Sequence, residues 1–373
     1  MSIAGCAQSR SFYKGENQMN DLVYWVWLSM LSRISPQLKV SLIRRFGSAY
    51  HLWSNFKNEH NPSGISQGAY QDLTSEELRK QSGQMLKRTL DLGIGVLPFD
   101  DKDYPPLLKQ IPDPPVVLYF LGNKTYLKNC FAIVGSRKAT TYGRNCAMKI
   151  ASCLAEQDIV IVSGLAKGID TYAHKGALEA NGKTVAVLGS GVNIVYPYEN
   201  KKLYSDIIDH GAVISEYPPD TNPLPYFFPL RNRIVSGLSK GILVIEAGEK
   251  SGTLITVDYA LAQGREVFAL PGNISSSQSK GTNDLIYHGA TPAIDPDDII
   301  NLYRTKSVNR AIMPSDVDET EKMIYDLICE GISDINSITE HSGLKTNMVL
   351  AILLSLELKL HIKKRPDGGY ITF

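Results

Sequence analysis

The sequence is poor in the residues that staple small or metal-bound folds. Its 373 residues include five cysteines, Cys6, Cys130, Cys146, Cys153 and Cys329. The number is odd and no Cys-x-x-Cys pair occurs, which argues against a zinc ribbon or a disulfide scaffold and fits a reducing cytoplasm. Cys6 follows Ile3-Ala4-Gly5, but the apolar stretch that a lipoprotein cleavage site requires does not precede it. Long hydrophobic runs are missing too. Leu22 to Leu31 is apolar and then meets Arg33, well short of the roughly 20 residues that span a bilayer, so no membrane association is expected. An excess of one charge is also lacking: Lys+Arg is 39, Asp+Glu is 38, and the formal net charge is +1. No global positive field can hold a polyanion, so any phosphate site must be a local cluster. The complete dinucleotide fingerprint is absent. Gly189-Ser190-Gly191 is followed by Ile194 where the third glycine belongs, and Tyr196-Pro197 stands where a helix should open. Neither a cofactor nor a metal is expected.

What is present is a sizeable core. Hydrophobic residues make up 43%, and the length fits two or three domains. Residues 1–19 are polar and aperiodic and read as a loose tail, with Met19 as an alternative start. Residues 20–90 read as a small helical domain. Leu22, Val23, Trp25, Val26, Leu28 and Leu31 share a face, as do Leu38, Leu42, Ile43 and Phe46, and Gly47 ends the second helix. Leu73 to Leu92 reads as one more helix, with Ser75 as a candidate cap. The turn Ile34-Ser35-Pro36 lacks the glycines of a DNA-binding helical hairpin, which points to packing or protein contact.

From about residue 91 to 305 the period changes. After a proline-rich connector, Tyr104 to Pro115, come short apolar runs: 116–121, 131–134, 159–162, 185–188, 213–215, 242–245 and 267–270. They alternate with the helical patterns 142–157, 170–180, 201–209 and 253–263. Such alternation predicts an α/β fold, a doubly wound and mostly parallel Rossmann-like sheet. Residues 306–315 read as a linker. From 316 to 373, three helices and a hairpin around Pro366-Asp367-Gly368-Gly369 describe a winged helix. Its third helix, from Asn347, has almost no cations, which favours protein contact over groove reading, although Lys363, Lys364 and Arg365 could touch phosphate.

Ligands of open parallel sheets bind beyond the carboxyl ends of the strands, and there this sequence gathers glycine and small polar residues. Gly135-Ser136-Arg137-Lys138 offers close backbone approach, a hydroxyl and a planar guanidinium suited to phosphate. Ser163-Gly164-Leu165-Ala166-Lys167-Gly168-Ile169-Asp170 opens the next helix, with Lys167 beside Arg137 if the two strands are neighbours. Asp170 reads as a helix cap and His174 as structural. Further on, Tyr226, Phe227 and Phe228 precede Arg231 and Arg233; aromatics beside arginine can stack bases and hold phosphates, with at least one of the three expected in the core. Ser251-Gly252-Thr253, Pro271-Gly272-Asn273 and Gly281-Thr282-Asn283 complete the series. The residues alone give a phosphate-bearing ligand at the switch point of the sheet and leave open whether it is a nucleotide or a strand.

This ordered set resembles the DNA-processing protein A family (DprA, also called Smf), from Val134-Gly135-Ser136-Arg137 through Arg231-Asn232-Arg233-Ile234-Val235-Ser236-Gly237 to Gly281-Thr282-Asn283, over about 95–305. The resemblance implies a protein without catalytic residues. It binds single-stranded DNA, protects incoming DNA in natural transformation, loads the RecA recombinase and acts as a homodimer in the cytoplasm. By position, the family's basic contacts fall on Arg137 and Lys167, with Arg231, Arg233 and Lys240 as additions. Gly135, Ser136, Lys138, Ser163, Gly164, Gly168, Ser251, Gly252, Thr253, Gly272 and Asn273 complete the expected binding set. Two alternatives remain. One is a nucleotide phosphoribohydrolase of related fold, whose Pro-Gly-Gly…Gly-Thr-x-x-Glu loop would align with Glu246 to Thr253; here Pro-Gly-Gly is missing and Thr256 replaces the glutamate. The other is a winged-helix transcription regulator.

Overall fold

The computed structural model describes residues 16–58, 64–303, 318–329, 332–359, 361–364 and 369–372. Most of the expected tail, the 306–315 linker, Arg365 and the turn at 366–368 lie outside the described residues. The chain forms two compact units, the first closing at Tyr303.

Among the described residues the first unit begins with five α-helices: α1 (Glu16–Met30), α2 (Pro36–Phe46), α3 (Ala49–Asn55), α4 (Gln67–Thr74) and α5 (Glu76–Asp91). Serine starts four of them. Ser35, Ser48, Ser66 and Ser75 accept the backbone N–H of Leu38, His51, Ala69 and Leu78, removing one orphan donor each. Ser75 also explains why the pattern from Leu73 to Leu92 is not one helix: its extended backbone breaks α4 from α5. Gly47 closes α2 at φ 86°, a left-handed position. The face of α1 that carries Trp25, Val26 and Leu28 is buried, with Leu31 just past its end, in the same hydrophobic cluster as the strands behind it. The Ser29 hydroxyl meets the Tyr119 hydroxyl at 2.8 Å.

Next come β1 (Gly95–Pro98), α6 (Pro106–Lys109), β2 (Val117–Gly122), β3 (Cys130–Val134), α7 (Thr141–Ala155), β4 (Val160–Ser163), α8 (Ile169–Glu179), β5 (Thr184–Val187), α9 (Lys201–His210), β6 (Ala212–Ser215), α10 (Phe227–Leu238), β7 (Ser239–Val244), α11 (Thr253–Ala262), β8 (Glu266–Ala269), α12 (Lys280–Tyr287), β9 (Thr291–Pro292) and α13 (Pro296–Ile300). The nine strands form one sheet in the order β1-β2-β6-β5-β4-β3-β7-β8-β9. From β6 to β9 every pair is parallel, and β2 joins β6 and β1 antiparallel. This is an α/β fold with a mostly parallel sheet behind N-terminal helices.

The strand order places the site. From β3 the chain steps outward through β4, β5 and β6, then returns to β7 on the other side of β3. The loops after β3 and β7 therefore diverge, and a crevice opens between them.

The second unit holds α14 (Glu319–Cys329), α15 (Ile335–Ser342), α16 (Thr346–Leu358) and an antiparallel pair, β10 (Ile362–Lys364) with β11 (Tyr370–Thr372). Ile324, Ile328, Ile338, Val349, Leu353 and Leu356 build its own core. Among the described residues no helix is long and apolar enough to cross a membrane, and none of their His, Cys, Asp and Glu side chains cluster as a metal site would require.

Candidate nucleic-acid interface

A cleft of about 390 Å³ opens at the crevice. Its walls are the loop after β3, the loop after β4, the first turns of α10 and the start of α11.

The loop after β3 is held from below. The Ser136 N–H donates to the Glu246 carbonyl (2.7 Å), and the Lys138 N–H to the Ser136 hydroxyl (3.1 Å). Arg137 and Lys138 point into solvent. The Arg137 guanidinium lies 6.0 Å from the centre of the Phe228 ring, which lines the cleft.

The loop after β4 is more tightly fixed. The Asp170 carboxylate accepts the N–H groups of Gly164 (3.1 Å) and Ala166 (3.3 Å). So Asp170 pins the loop, and the N-cap is Gly168. Arg231 Nη1 donates to the carbonyls of Gly164 (2.7 Å) and Val187. Leu165 is fully buried in the left-handed region at φ 57°, its carbonyl taken by the Asn200 amide at 2.9 Å. Gly168 has φ 82°, and a Cβ there would stand 2.2 Å from the Ser136 carbonyl oxygen. The Ile169 N–H donates to that same carbonyl at 3.1 Å. The two loops, one bearing Arg137 and the other Lys167, are thus joined backbone to backbone. Lys167 Nζ is held by Glu199 Oε1 at 2.5 Å, both side chains largely exposed.

On the opposite wall α11 starts at Gly252 without a side-chain cap, beside Ser251 and Thr253. Ser251 takes the N–H groups of Thr253 (3.2 Å, hydroxyl) and Leu254 (3.0 Å, carbonyl), and the positive dipole end of the helix favours an anion. Burial lowers Arg231 to about 10, so it stays charged at neutral pH. Burial raises the Asp170 carboxyl; Arg231 and the backbone donors oppose that rise. His174 lies outside the lining, fully buried, Nδ1 2.6 Å from the Thr184 hydroxyl; burial lowers it to about 3, so it is neutral.

The residues singled out from the sequence divide. Gly135, Ser136, Arg137, Lys138, Gly164, Arg231, Ser251, Gly252 and Thr253 line the cleft; Lys167 and Gly168 are not among its lining residues, Gly168 abutting the Ser136 carbonyl and Lys167 turning to Glu199. Others lie elsewhere. The Ser163 hydroxyl is buried against the Ile133 carbonyl at 2.7 Å. Arg233 is buried on the far face of α10 between Glu216 (2.6 Å) and Asp113 (3.1 Å). Lys240 sits at the opposite end of β7, 4.4 Å from the Tyr303 ring centre. Gly272 and Asn273 line a neighbouring hollow with Tyr142 and Glu246. There Asn283 binds both backbone groups of Gly272, which gives Gly281-Thr282-Asn283 a structural role. None of the three aromatics is core: Tyr226 is exposed, and Phe227 and Phe228 are half-buried.

Residues 95–304, more than half of the chain, match the family described as DNA recombination-mediator protein A. The chain belongs to that family. Among relatives of this recombination-mediator family, the Smf protein of Escherichia coli K12 is 38% identical over 287 residues, covering 74% of this chain and 76% of that one. The DNA processing protein DprA of Streptococcus pneumoniae R6 is 45% identical over 201 residues, 54% of this chain and 71% of the relative. The X-ray structure of DprA from Streptococcus pneumoniae superposes with a TM-score of 0.62 at 34% identity, covering 74% of this chain and 95% of that one. DprA of Helicobacter pylori, whose structure was described for its single-stranded DNA binding mode, gives 0.52 at 30% identity over 56% of this chain and 95% of that one.

The sequence reading missed several wall residues of this family member: Pro229, Val235, Ile255, Thr256 and Gln278. Val235, four positions after Arg231 and seven after Phe228, belongs to a helical period that was legible. Gln278 carries no local signal.

Proposed function

We propose that this DNA-processing protein binds single-stranded DNA in the cleft without altering it. The observation that carries the reading is the backbone junction of Ser136 with Gly168 and Ile169, which joins the loops that bear Arg137 and Lys167. Exposed cations there meet phosphates. The start of α11 receives another, and Phe228 offers a face to a base. A near-neutral chain binds a polyanion in this way because only the rim must be positive. The role is to protect incoming DNA and load the RecA recombinase onto it during natural transformation, as a cytoplasmic homodimer. Membership of the recombination-mediator family supports that role.

The chemistry of the walls supports binding over hydrolysis. Asp170 is the carboxylate among the lining residues, and two backbone N–H groups occupy one of its oxygens. Glu246 is taken by the Thr140 N–H and hydroxyl, and the buried Thr256 stands where the phosphoribohydrolase glutamate would be. The C-terminal unit reads as a winged helix turned to protein contact, since α16 exposes Met348, Leu350, Leu354 and Leu358.

Fluorescence anisotropy with oligo-dT across a salt series tests the reading. Arg137→Ala with Lys167→Ala should weaken binding, and each lost phosphate contact should flatten the log–log salt slope by about 0.7. Unchanged affinity in that double variant, release of free base from nucleoside monophosphates, or tighter binding to a particular duplex than to oligo-dT would each overturn it.

A further inference from the structure

A ledge of aromatic and cationic side chains continues the cleft wall outward. Tyr196 is 49% exposed and Tyr198 71%. Rings of that size gain most from burial, so the fold leaves considerable apolar surface open at this place. The Tyr196 ring lies 5.4 Å from Phe228, which in turn lies beneath Arg137. Lys201 Nζ stands 5.6 Å from the Tyr198 ring centre, and Lys202 beside it is exposed.

The segment is anchored. Pro197 and Asn200 are buried. The Asn200 amide donates to the Leu165 carbonyl (2.9 Å) and to the Thr171 hydroxyl (3.0 Å), tying the ledge to the loop that carries Lys167. The Tyr204 hydroxyl donates to the Val192 carbonyl. The one acidic group between the tyrosines and Lys201 is Glu199, and the exposed Lys201 and Lys202 outnumber it even when Lys167 turns from Glu199 to a phosphate. The surface is therefore aromatic, net cationic and continuous with the strand cleft.

We propose that Tyr196, Tyr198 and Lys201 form a second subsite, on which the same single strand continues after it leaves the cleft. This rests on the strand-binding reading. One base stacks on Tyr196 next to Phe228, the following base stacks on Tyr198, and Lys201 takes a phosphate. An aromatic face accepts any base, so the ledge lengthens the footprint without adding sequence preference.

The test compares oligo-dT of about four nucleotides, enough for a cleft, with one of about twenty. Tyr198→Ala should weaken the long strand roughly five- to hundredfold, as loss of a base stack does, and leave the short strand unaffected. Its salt slope should stay the same, whereas Lys201→Ala should flatten the slope by about 0.7. Tyr198→Phe should bind like the parent, and a long abasic strand should not sense Tyr198→Ala. If Tyr198→Ala binds the long strand normally while the Arg137 and Lys167 double variant is still impaired, the ledge is not a subsite. If the double variant also binds normally, the cleft reading fails and the ledge falls with it.

Discussion

Asp170 and Arg231 hold the two ends of one residue: the carboxylate accepts the Gly164 N–H at 3.1 Å, and the guanidinium donates to the Gly164 carbonyl at 2.7 Å. The second cleft loop is thus clamped by opposite charges that never meet as a direct pair.

This geometry makes Arg231 an organiser of the site, and its substitution separates that role from phosphate contact. Arg231→Met should weaken oligo-dT binding while leaving the salt slope unchanged, since no phosphate contact is removed. Losing charge-assisted hydrogen bonds should cost about 1.5–3 kcal/mol in urea unfolding. A flattened slope would return Arg231 to the set of phosphate ligands.

Gly164 admits no side chain. A Cβ there would stand 2.4 Å from Arg231 Nη2. Gly164→Ala must displace the guanidinium, so its binding defect should resemble that of Arg231→Met, and the double variant should be little worse than either single one. Additive losses would show that the two residues act separately.

If Lys167 holds a phosphate as proposed, Glu199 must compete for it. Their 2.5 Å ion pair is exposed and readily exchanged, and that contact holds the Glu199 carboxyl below its usual range. Glu199→Gln should tighten oligo-dT binding a few-fold and steepen the salt slope by up to about 0.7. Binding that weakens instead would mean the pair is needed to place Lys167.

His174 should contribute an acid limb to stability. Its folded value of about 3 lies below the ordinary 6.5, because burial disfavours the cation. Between these values the unfolded chain binds a proton that the folded one does not. Stability is therefore full above about pH 6.5 and falls as pH drops towards 3, by up to about 1.4 kcal/mol per pH unit. His174→Leu should flatten that limb in denaturant titrations at pH 4 to 6; an unchanged limb would assign it to other groups.

Arg233→Met should leave Glu216 and Asp113 without their buried partner and cost about 3–5 kcal/mol of stability. The salt slope of binding should not change in protein that remains folded. A flattened slope would place Arg233 among the phosphate contacts.

Much of the sheet was legible because buried parallel strands are short, β-branched runs, and all seven runs in the sequence became strands. Glycine-bearing turns after β3, β4 and β7 marked the cleft for a related reason: backbone must approach backbone there, as at Gly168. The errors arose where direction depends on an element that had not been recognised. Arg231 and Arg233 group together as phosphate contacts in the sequence, but on a helix positions two apart differ by about 200°. One therefore turns to the cleft and the other away from it. Ser163 looked like a ligand hydroxyl, yet it is the last residue of β4 and points inside the sheet. Asn200 shows nothing locally, because its partner Leu165 is distant in sequence.

α10 thus works as an axle. On one side Arg231 fastens the loop after β4. On the other Arg233 is locked among carboxylates, beside the buried Lys39 of α2, whose ammonium donates to the Ser29 carbonyl of α1. A rigid rod cannot turn at one arginine and stay still at the other. One helix thus carries both the arginine that meets the lysine of the leading helices and the arginine that holds the loop after β4.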